Sequence, residues 1–323
     1  CCEEFVAEKF AVGVDLGGTK IMAGVVNLAT GRLMASAKKK TRVVADGQDL
    51  VKRIAMVVDE AIRDAGIETK KLAGIGIGAA GMVDREKGIL LAAANIGAND
   101  VNIAEPLQEQ FGLHVKLGND VEVATIGELA FGAGRECDNF ICLFVGTGIG
   151  SGIVYQGEIL RGFTGTAGEV GHIVVVADGR DCGCGNFGCL ETYASRTAIA
   201  RNCVYDINRG FDSVLRDKID PTKGGLRSKA IAQAVEMGDL VATRAVDHAS
   251  CMMGIGLATL VNFYNPQRII LGGGLIEALP VYFDKAEAEA RRRSLRIPSH
   301  KTEFVRAELG DYAGTIGAAL LIR

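Results

Sequence analysis

The chain has 323 residues, 48 % hydrophobic and 23 % charged, with a net charge of −3. That is long enough for two domains with substantial cores, and the charge balance argues against nucleic acid as the main partner. No apolar run reaches the ~18 residues of a membrane span, no signal peptide is visible, and nine scattered or clustered cysteines fit a reducing cytoplasm better than a disulfide framework.

In chain order, residues 10–15 form a short apolar run that ends in the turn Gly17-Gly18-Thr19-Lys20, and 21–26 resume the apolar pattern. This predicts a strand, a tight turn and a second strand, paired as a hairpin. Residues 33–37 can add a third strand. Over 49–66 the apolar residues Leu50, Ile54, Val57, Val58, Ala61 and Ile62 recur at helical spacing, with Asp49 placed to cap the start and Gly66 to stop it. Residues 72–78 and 115–117 read as buried strands. The second runs into Gly118-Asn119-Asp120, and a small-residue helix follows over 121–131.

The pattern then restarts. Residues 139–145 read as a strand, 146–152 as a glycine turn and 153–156 as the next strand. A strand, Gly/Thr turn, strand unit thus occurs twice, about 130 residues apart, which predicts a duplicated domain. Helices follow near 191–203 and 245–263. A strand at 268–271 ends in Gly272-Gly273-Gly274, and a final small-residue helix covers 312–321.

Backbone N–H groups in a glycine turn make a concave anion site, because no side chain obstructs them. Asp15, Gly17, Gly18, Thr19 and Lys20 offer such a turn with a hydroxyl and a cation, and Asp15 is placed to hold Mg²⁺ through water. Gly146, Thr147 and Gly148 offer a second cradle. Gly272, Gly273 and Gly274 permit close approach of a planar group such as adenine. Three such loops, each after a buried strand, point to nucleotide binding. The G-x-G-x-x-G matches at 76–81 and 183–188 lack the strand-turn-helix context of a dinucleotide site, and no Walker pattern is present.

Cys182, Cys184 and Cys189, with His172 ten residues upstream, offer three sulfur ligands and one nitrogen, a complete tetrahedral set for structural zinc. Glycines 183, 185 and 188 let the backbone turn tightly between them. Glu169 and Glu191 bracket the ligands, so a zinc there would fix where both carboxylates point.

Together these residues resemble the ROK family of sugar kinases, regulators and open reading frames, on the actin-like ATPase fold, over essentially the whole chain. The motifs are Asp15-x-Gly-Gly-Thr19-Lys20, Asn119-Asp120, Gly146-Thr-Gly148-x-Gly150, and Glu169-x-Gly-His172 followed by Cys182-x-Cys184-Gly-x-x-Gly-Cys189-x-Glu191. The resemblance implies an α/β fold of two actin-like (ribonuclease H-like) lobes with an interlobe cleft. Residues 1–118 plus 311–323 would form the first lobe, and 119–310 the second, with the zinc site.

The resemblance also implies ATP-dependent phosphorylation of a hexose, with ATP, Mg²⁺ and Zn²⁺ as cofactors and Asp120 as the base. Gly81, Asn95, Asn119, Asp120, Glu169, His172 and Glu191 would bind the sugar. Asp15, Gly17, Gly18, Thr19, Lys20, Thr147, Gly148, Gly272, Gly273 and Gly274 would bind ATP and its phosphates. The bland alternative for Asp120 is an N-cap of the helix that follows it. A homo-oligomer, dimer or tetramer, in the cytoplasm is expected.

Three departures leave the sugar open. The segment Ala79-Ala80-Gly81-Met82-Val83-Asp84 lacks the Pro-Gly usual in family glucokinases, Asn95-Ile96-Gly97-Ala98-Asn99-Asp100 replaces an Asn-Leu-Pro-x-Trp stretch, and Gly118 stands where an acidic residue is usual. Glucose is the first expectation, and N-acetylmannosamine, N-acetylglucosamine, fructose and allose stay open, as does polyphosphate as donor. A sugar-responsive repressor is the competing class. About a dozen residues precede Asp15, too few for the DNA-binding domain such a repressor carries, and the chain starts at Cys1 without Met, so a trimmed N-terminus is expected. A non-catalytic sugar-sensing protein of this family is the third reading.

Overall fold

A computed structural model describes residues 9–41, 47–93, 96–220 and 225–323. Residues up to Arg135 together with Glu308–Arg323 form one compact unit, and Glu136–Ala307 form a second.

The first unit begins with β1 (Phe10–Leu16), β2 (Lys20–Asn27) and β3 (Leu33–Lys40), followed by α1 (Gly47–Ala65). It continues with β4 (Leu72–Ala79), β5 (Met82–Asp84), β6 (Ile89–Ala93), β7 (Ala98–Asn102), α2 (Ala104–Phe111), β8 (Val115–Asn119) and α3 (Asp120–Phe131). The second unit holds β9 (Phe140–Val145), β10 (Ile149–Tyr155), β11 (Glu158–Ile159), α4 (Glu191–Ala194), α5 (Arg196–Asn208), α6 (Ser228–Glu236) and α7 (Leu240–Tyr264). It closes with β12 (Arg268–Gly272), α8 (Gly274–Ala278), α9 (Pro280–Arg293), α10 (Arg296–Lys301) and β13 (Glu303–Arg306), and the chain returns to the first unit as α11 (Ala313–Leu320).

The two main sheets have the same plan. Strand order is β3-β2-β1-β4-β8 in one and β11-β10-β9-β12-β13 in the other. In each, three consecutive strands pair antiparallel and two further strands join in parallel. The sequence repeat is therefore a repeat of the whole sheet. The first glycine turn joins β1 to β2, and the second joins β9 to β10 in the equivalent place. A third, antiparallel sheet, β5-β6-β7, belongs to the first unit.

Central strands read as nearly continuous apolar runs because both of their faces are covered. Val12, Val14, Ile75 and Ile77 are fully buried in the first core, and Ile141, Leu143, Ile269 and Leu271 in the second. The small-residue helix α11 lies flush on the first sheet and on α3. A Cβ at Gly76 would stand 1.7 Å from the Ala318 carbonyl oxygen, and one at Gly317 would stand 1.6 Å from that of Val123. That contact places α3 with the first unit, so the boundary falls after Arg135 rather than at 118.

The carboxylate of Glu128, fully buried in α3, holds both chain crossings between the units on the first unit's side. It accepts the Ala133 amide at 2.7 Å on the outgoing segment, and the Glu308 and Leu309 amides at 3.2 and 2.9 Å on the return.

Some local expectations change. Helix α1 spans Gly47–Ala65, so Asp49 lies within its first turn rather than at the cap position, and there it pairs with Arg53 at 2.8 Å. Gly66 does end the helix, with φ of 64°. The second glycine turn is shorter than expected, because Gly150 and Gly152 already pair with Phe144 and Cys142 in the hairpin. The helix expected over 191–203 is two helices, broken at Ser195, whose hydroxyl caps α5 by accepting the Ala198 amide at 3.2 Å.

Candidate active site

In the first unit, the turn after β1 closes through the Gly17 amide, which donates to the Lys20 carbonyl at 3.0 Å. Thr41 pins it from outside, its hydroxyl donating to the Gly17 carbonyl at 2.7 Å and its amide to that of Thr19 at 3.0 Å. Lys20 pairs with Asp311 at 3.3 Å. Asp15, at the end of β1, is covered by α11, since a Cβ at Gly314 would stand 3.2 Å from its carboxyl carbon. Burial pushes the Asp15 carboxyl up to about 6, with Lys20 opposing and the negative charges of Asp120 and Asp311 adding to the rise. A hard divalent cation suits such a set of oxygen donors. Asp311 was not among the residues expected from sequence, because an aspartate before a helix has no distinguishing spacing.

At the end of β8, Asn119 is the N-cap of α3. Its Oδ1 accepts the Val121 and Glu122 amides at 2.9 and 3.2 Å, and its Nδ2 donates to the Gly81 carbonyl at 3.2 Å. The cap is therefore Asn119, and Asp120 is the first helical residue. Its carboxylate sits where strand gives way to helix, and the Val121 amide donates to it at 2.9 Å. The structure thus brings together Gly81, Asn119 and Asp120. Gly81 tolerates no side chain, since a Cβ would stand 2.2 Å from the Ala92 carbonyl oxygen. Asn95 lies outside the described residues. Arg85, just beyond β5, pairs with the buried Glu122, which ties the Gly81 hairpin to the first turn of α3.

The second unit gathers its expected residues around the β9–β10 turn. Gly146 closes it by donating to the Gly148 carbonyl at 2.9 Å. Glu191, the first residue of α4, reaches into the turn, where its Oε2 accepts the Ile149 amide at 2.7 Å. Gly148 leaves room for that approach, since a Cβ there would stand 2.2 Å from the same oxygen and push the carboxylate away. The segment carrying Glu169 and His172 packs on β10, and a Cβ at Gly171 would stand 2.3 Å from the Ile149 carbonyl oxygen. Ser151 secures it, its hydroxyl donating to the Gly168 carbonyl and accepting the Val170 amide at 3.1 Å. Gly273 has φ of 92° and lies against Val145, so the glycine triplet after β12 abuts the strand that leads into the turn.

The ligating atoms of His172, Cys182, Cys184 and Cys189 all lie within 4.8 Å of one another. Cys182 Sγ is 3.6 Å from His172 Nδ1, and Cys184 Sγ is 3.7 Å from Cys189 Sγ. A tetrahedral zinc with ordinary Zn–S and Zn–N distances has sulfur–sulfur edges of about 3.8 Å and sulfur–nitrogen edges of about 3.6 Å. The donor set fits that ion, and these two edges match its spacing. Backbone hydrogen bonds hold the frame: Leu190 donates to Ile173 at 2.9 Å, Val175 to Gly188 at 2.9 Å and Cys182 to Asn186 at 2.9 Å. Arg180 closes the base of the loop, stacked 4.7 Å from the centre of the Tyr193 ring.

Two glycine turns on equivalent hairpins, a carboxylate at a strand-to-helix corner and a gripped set of polar side chains define a phosphotransferase of the actin-like class. The ROK family profile matches residues 11–323, and the chain belongs to that family. It is 34 % identical over 98 % of its length to the glucokinase of Halalkalibacterium halodurans, covering 96 % of that protein. It superposes on the ROK family glucokinase of Streptomyces griseus, solved with glucose and AMPPNP, with a TM-score of 0.83 and 36 % identity, covering 97 % of this chain and 98 % of that one. The ROK hexokinase of Thermus thermophilus gives a TM-score of 0.79 at 33 % identity, covering 96 % and 97 %. The two-lobe actin-like fold expected from sequence is the observed one. Among the described residues, no helix is long and apolar enough to cross a membrane.

Proposed function

We propose that this chain is an ATP-dependent glucose kinase, which transfers the γ-phosphate to a sugar hydroxyl and forms glucose 6-phosphate. The observation that carries the reading is the division of labour at the start of α3. Asn119 caps the helix and grips the Gly81 carbonyl, and Asp120, the first helical residue, stands at the corner as the base. Phosphoryl transfer asks for a positioned hydroxyl and neutralised charge, with little covalent work. A carboxylate at this corner accepts the hydroxyl proton as attack proceeds. We assign sugar binding to Gly81, Asn95, Asn119, Asp120, Glu169, His172 and Glu191. The turns at Gly17, Gly18 and Thr19 and at Thr147 and Gly148 take the phosphates with Lys20, and Gly272, Gly273 and Gly274 take the nucleotide base.

Asp15 would hold Mg²⁺, which supplies positive charge for the phosphoryl oxygens. Zn²⁺ would be held by His172, Cys182, Cys184 and Cys189 and would supply a fixed cross-link beside the neighbouring carboxylates. A cytoplasmic homo-oligomer completes the reading. The exposed apolar residues Phe263, Leu295 and Ile297 support self-association.

The test is ADP release with Mg-ATP across glucose, N-acetylglucosamine, N-acetylmannosamine, fructose and allose, with Asp120→Asn as control. Glucose should give the strongest turnover, and the variant none. Silence on every sugar, or turnover with polyphosphate alone, would overturn the reading.

A further inference from the structure

The guanidinium of Arg196 stands beside the second glycine turn. Arg196 opens α5, and its backbone amide donates to the Gly146 carbonyl at 2.9 Å. Its Nη2 donates to the Thr147 hydroxyl at 2.8 Å, and its Nη1 to the carbonyl of the buried Leu226 at 2.8 Å. Thr197 adds a hydroxyl donated to the Thr147 carbonyl at 2.7 Å. One side chain is thus forked between the protein interior and the tip of the turn.

The fork dictates what Thr147 can offer. A hydroxyl has one proton to donate and two lone pairs to accept with. A guanidinium donates only, and it does not lose its charge in proteins. With Arg196 filling a lone pair, the Thr147 proton is turned toward some other acceptor. Thr147 itself is exposed, so that acceptor can be a ligand. Phosphate oxygens accept only, and they favour a nearby cation. A turn with a donor hydroxyl and a permanent positive charge behind it is matched to a nucleotide phosphate chain.

We infer that Arg196 is a positioning residue for the phosphoryl donor: it orients the Thr147 hydroxyl toward the nucleotide phosphates and supplies positive charge to the second turn. This rests on the reading of 146–148 as a phosphate loop. Nothing in the sequence pattern separates this arginine from other helix-surface arginines. Its role follows from the break at Ser195, which restarts the helix with Arg196 against the turn.

The test is steady-state kinetics with Mg-ATP and glucose on Arg196→Ala, Arg196→Lys, Thr147→Val and the Arg196→Ala/Thr147→Val double variant, each checked for an unchanged melting transition. Arg196→Ala should raise KM for ATP about tenfold, the scale of one charged hydrogen bond, while KM for glucose stays within about twofold. The double variant should be no worse for ATP than the poorer single, because the two side chains act as one unit. Arg196→Lys should fall between, since an ammonium keeps the charge but cannot span both partners. If the alanine variant does not fold, the lysine and valine variants carry the same comparison. An ATP KM that responds to Thr147→Val but to neither Arg196 variant overturns the proposal and leaves the loop's assignment standing. An ATP KM indifferent to Thr147→Val as well overturns the phosphate-loop reading itself.

Discussion

Glu191 and Ile149 are joined by a 2.7 Å hydrogen bond from the Ile149 amide to the Glu191 carboxylate, so a side chain assigned to sugar recognition also shapes the turn assigned to phosphate. The two functions are separable by substitution. Glu191→Gln keeps an oxygen for the Ile149 amide and loses the charge. Its main effect should be a higher KM for glucose. Glu191→Ala loses both and should raise KM for glucose and ATP together, which initial-rate measurements with each substrate varied in turn will show.

Asp120→Asn should lower kcat by about 10²–10⁴, the range for losing a general base, with glucose affinity by calorimetry nearly unchanged. Near-normal turnover in this variant would remove Asp120 from the mechanism.

Metal analysis of the purified protein should find one zinc per chain. Cys184, the exposed member of the cluster, can be changed to alanine with the least disturbance to packing. Cys184→Ala should lose the metal and weaken glucose binding at least about tenfold if, as proposed, the ligand frame aims Glu169, His172 and Glu191. A variant with full zinc and full glucose affinity would show that the four side chains hold no ion.

The Asp15 carboxyl, pushed from 3.8 to about 6 by burial, gives a pH dependence with a definite sign. Between these values the folded protein binds a proton that the unfolded chain has released. This group therefore makes the protein less stable as pH rises from about 4 through 6, by an amount on the scale of a few kcal/mol. Asp15→Asn should flatten that part of the melting profile measured without Mg²⁺. For the same reason Mg²⁺ should bind more weakly below about pH 6, where it competes with the proton.

Two glycine substitutions separate conformation from space. Gly66 has φ of 64°, and a Cβ added there would meet nothing within 4 Å, so Gly66→Ala should cost about 1 kcal/mol. Gly76→Ala drives a methyl group to 1.7 Å from the Ala318 carbonyl oxygen, and α11 must move off the sheet. Its cost in urea denaturation should exceed about 3 kcal/mol, or the variant should not accumulate as folded protein.

The sequence carried much of this architecture because the signals were local. The apolar stripe of α1, the buried runs of β1, β4, β9 and β12, and the two glycine turns each announce themselves within a dozen residues. The cysteine cluster did so through ligand type and spacing, and the structure gathers all four ligating atoms. The small β5-β6-β7 sheet went unread because its strands are short and only partly buried. Helix α9 hides its apolar face among arginines and glutamates. At Asn119-Asp120 both side chains suit a cap, and only the hydrogen bonds assign that task to Asn119. Gly150 and Gly152 read as turn residues, yet pairing with β9 holds them in a strand.

The buried Glu128 has an evolutionary and a practical consequence. Because one of its oxygens receives amides from both Ala133 and Glu308, the chain leaves and re-enters the first unit at points within about 6 Å of each other. The second unit is therefore a cassette inserted into a single loop of the first. Such a cassette has neighbouring ends, the arrangement that lets domains be exchanged or excised without dragging apart the host's core. A first unit with residues 136–307 replaced by a short flexible bridge would keep its sheet, its helices and the carboxylate that staples its cut ends together.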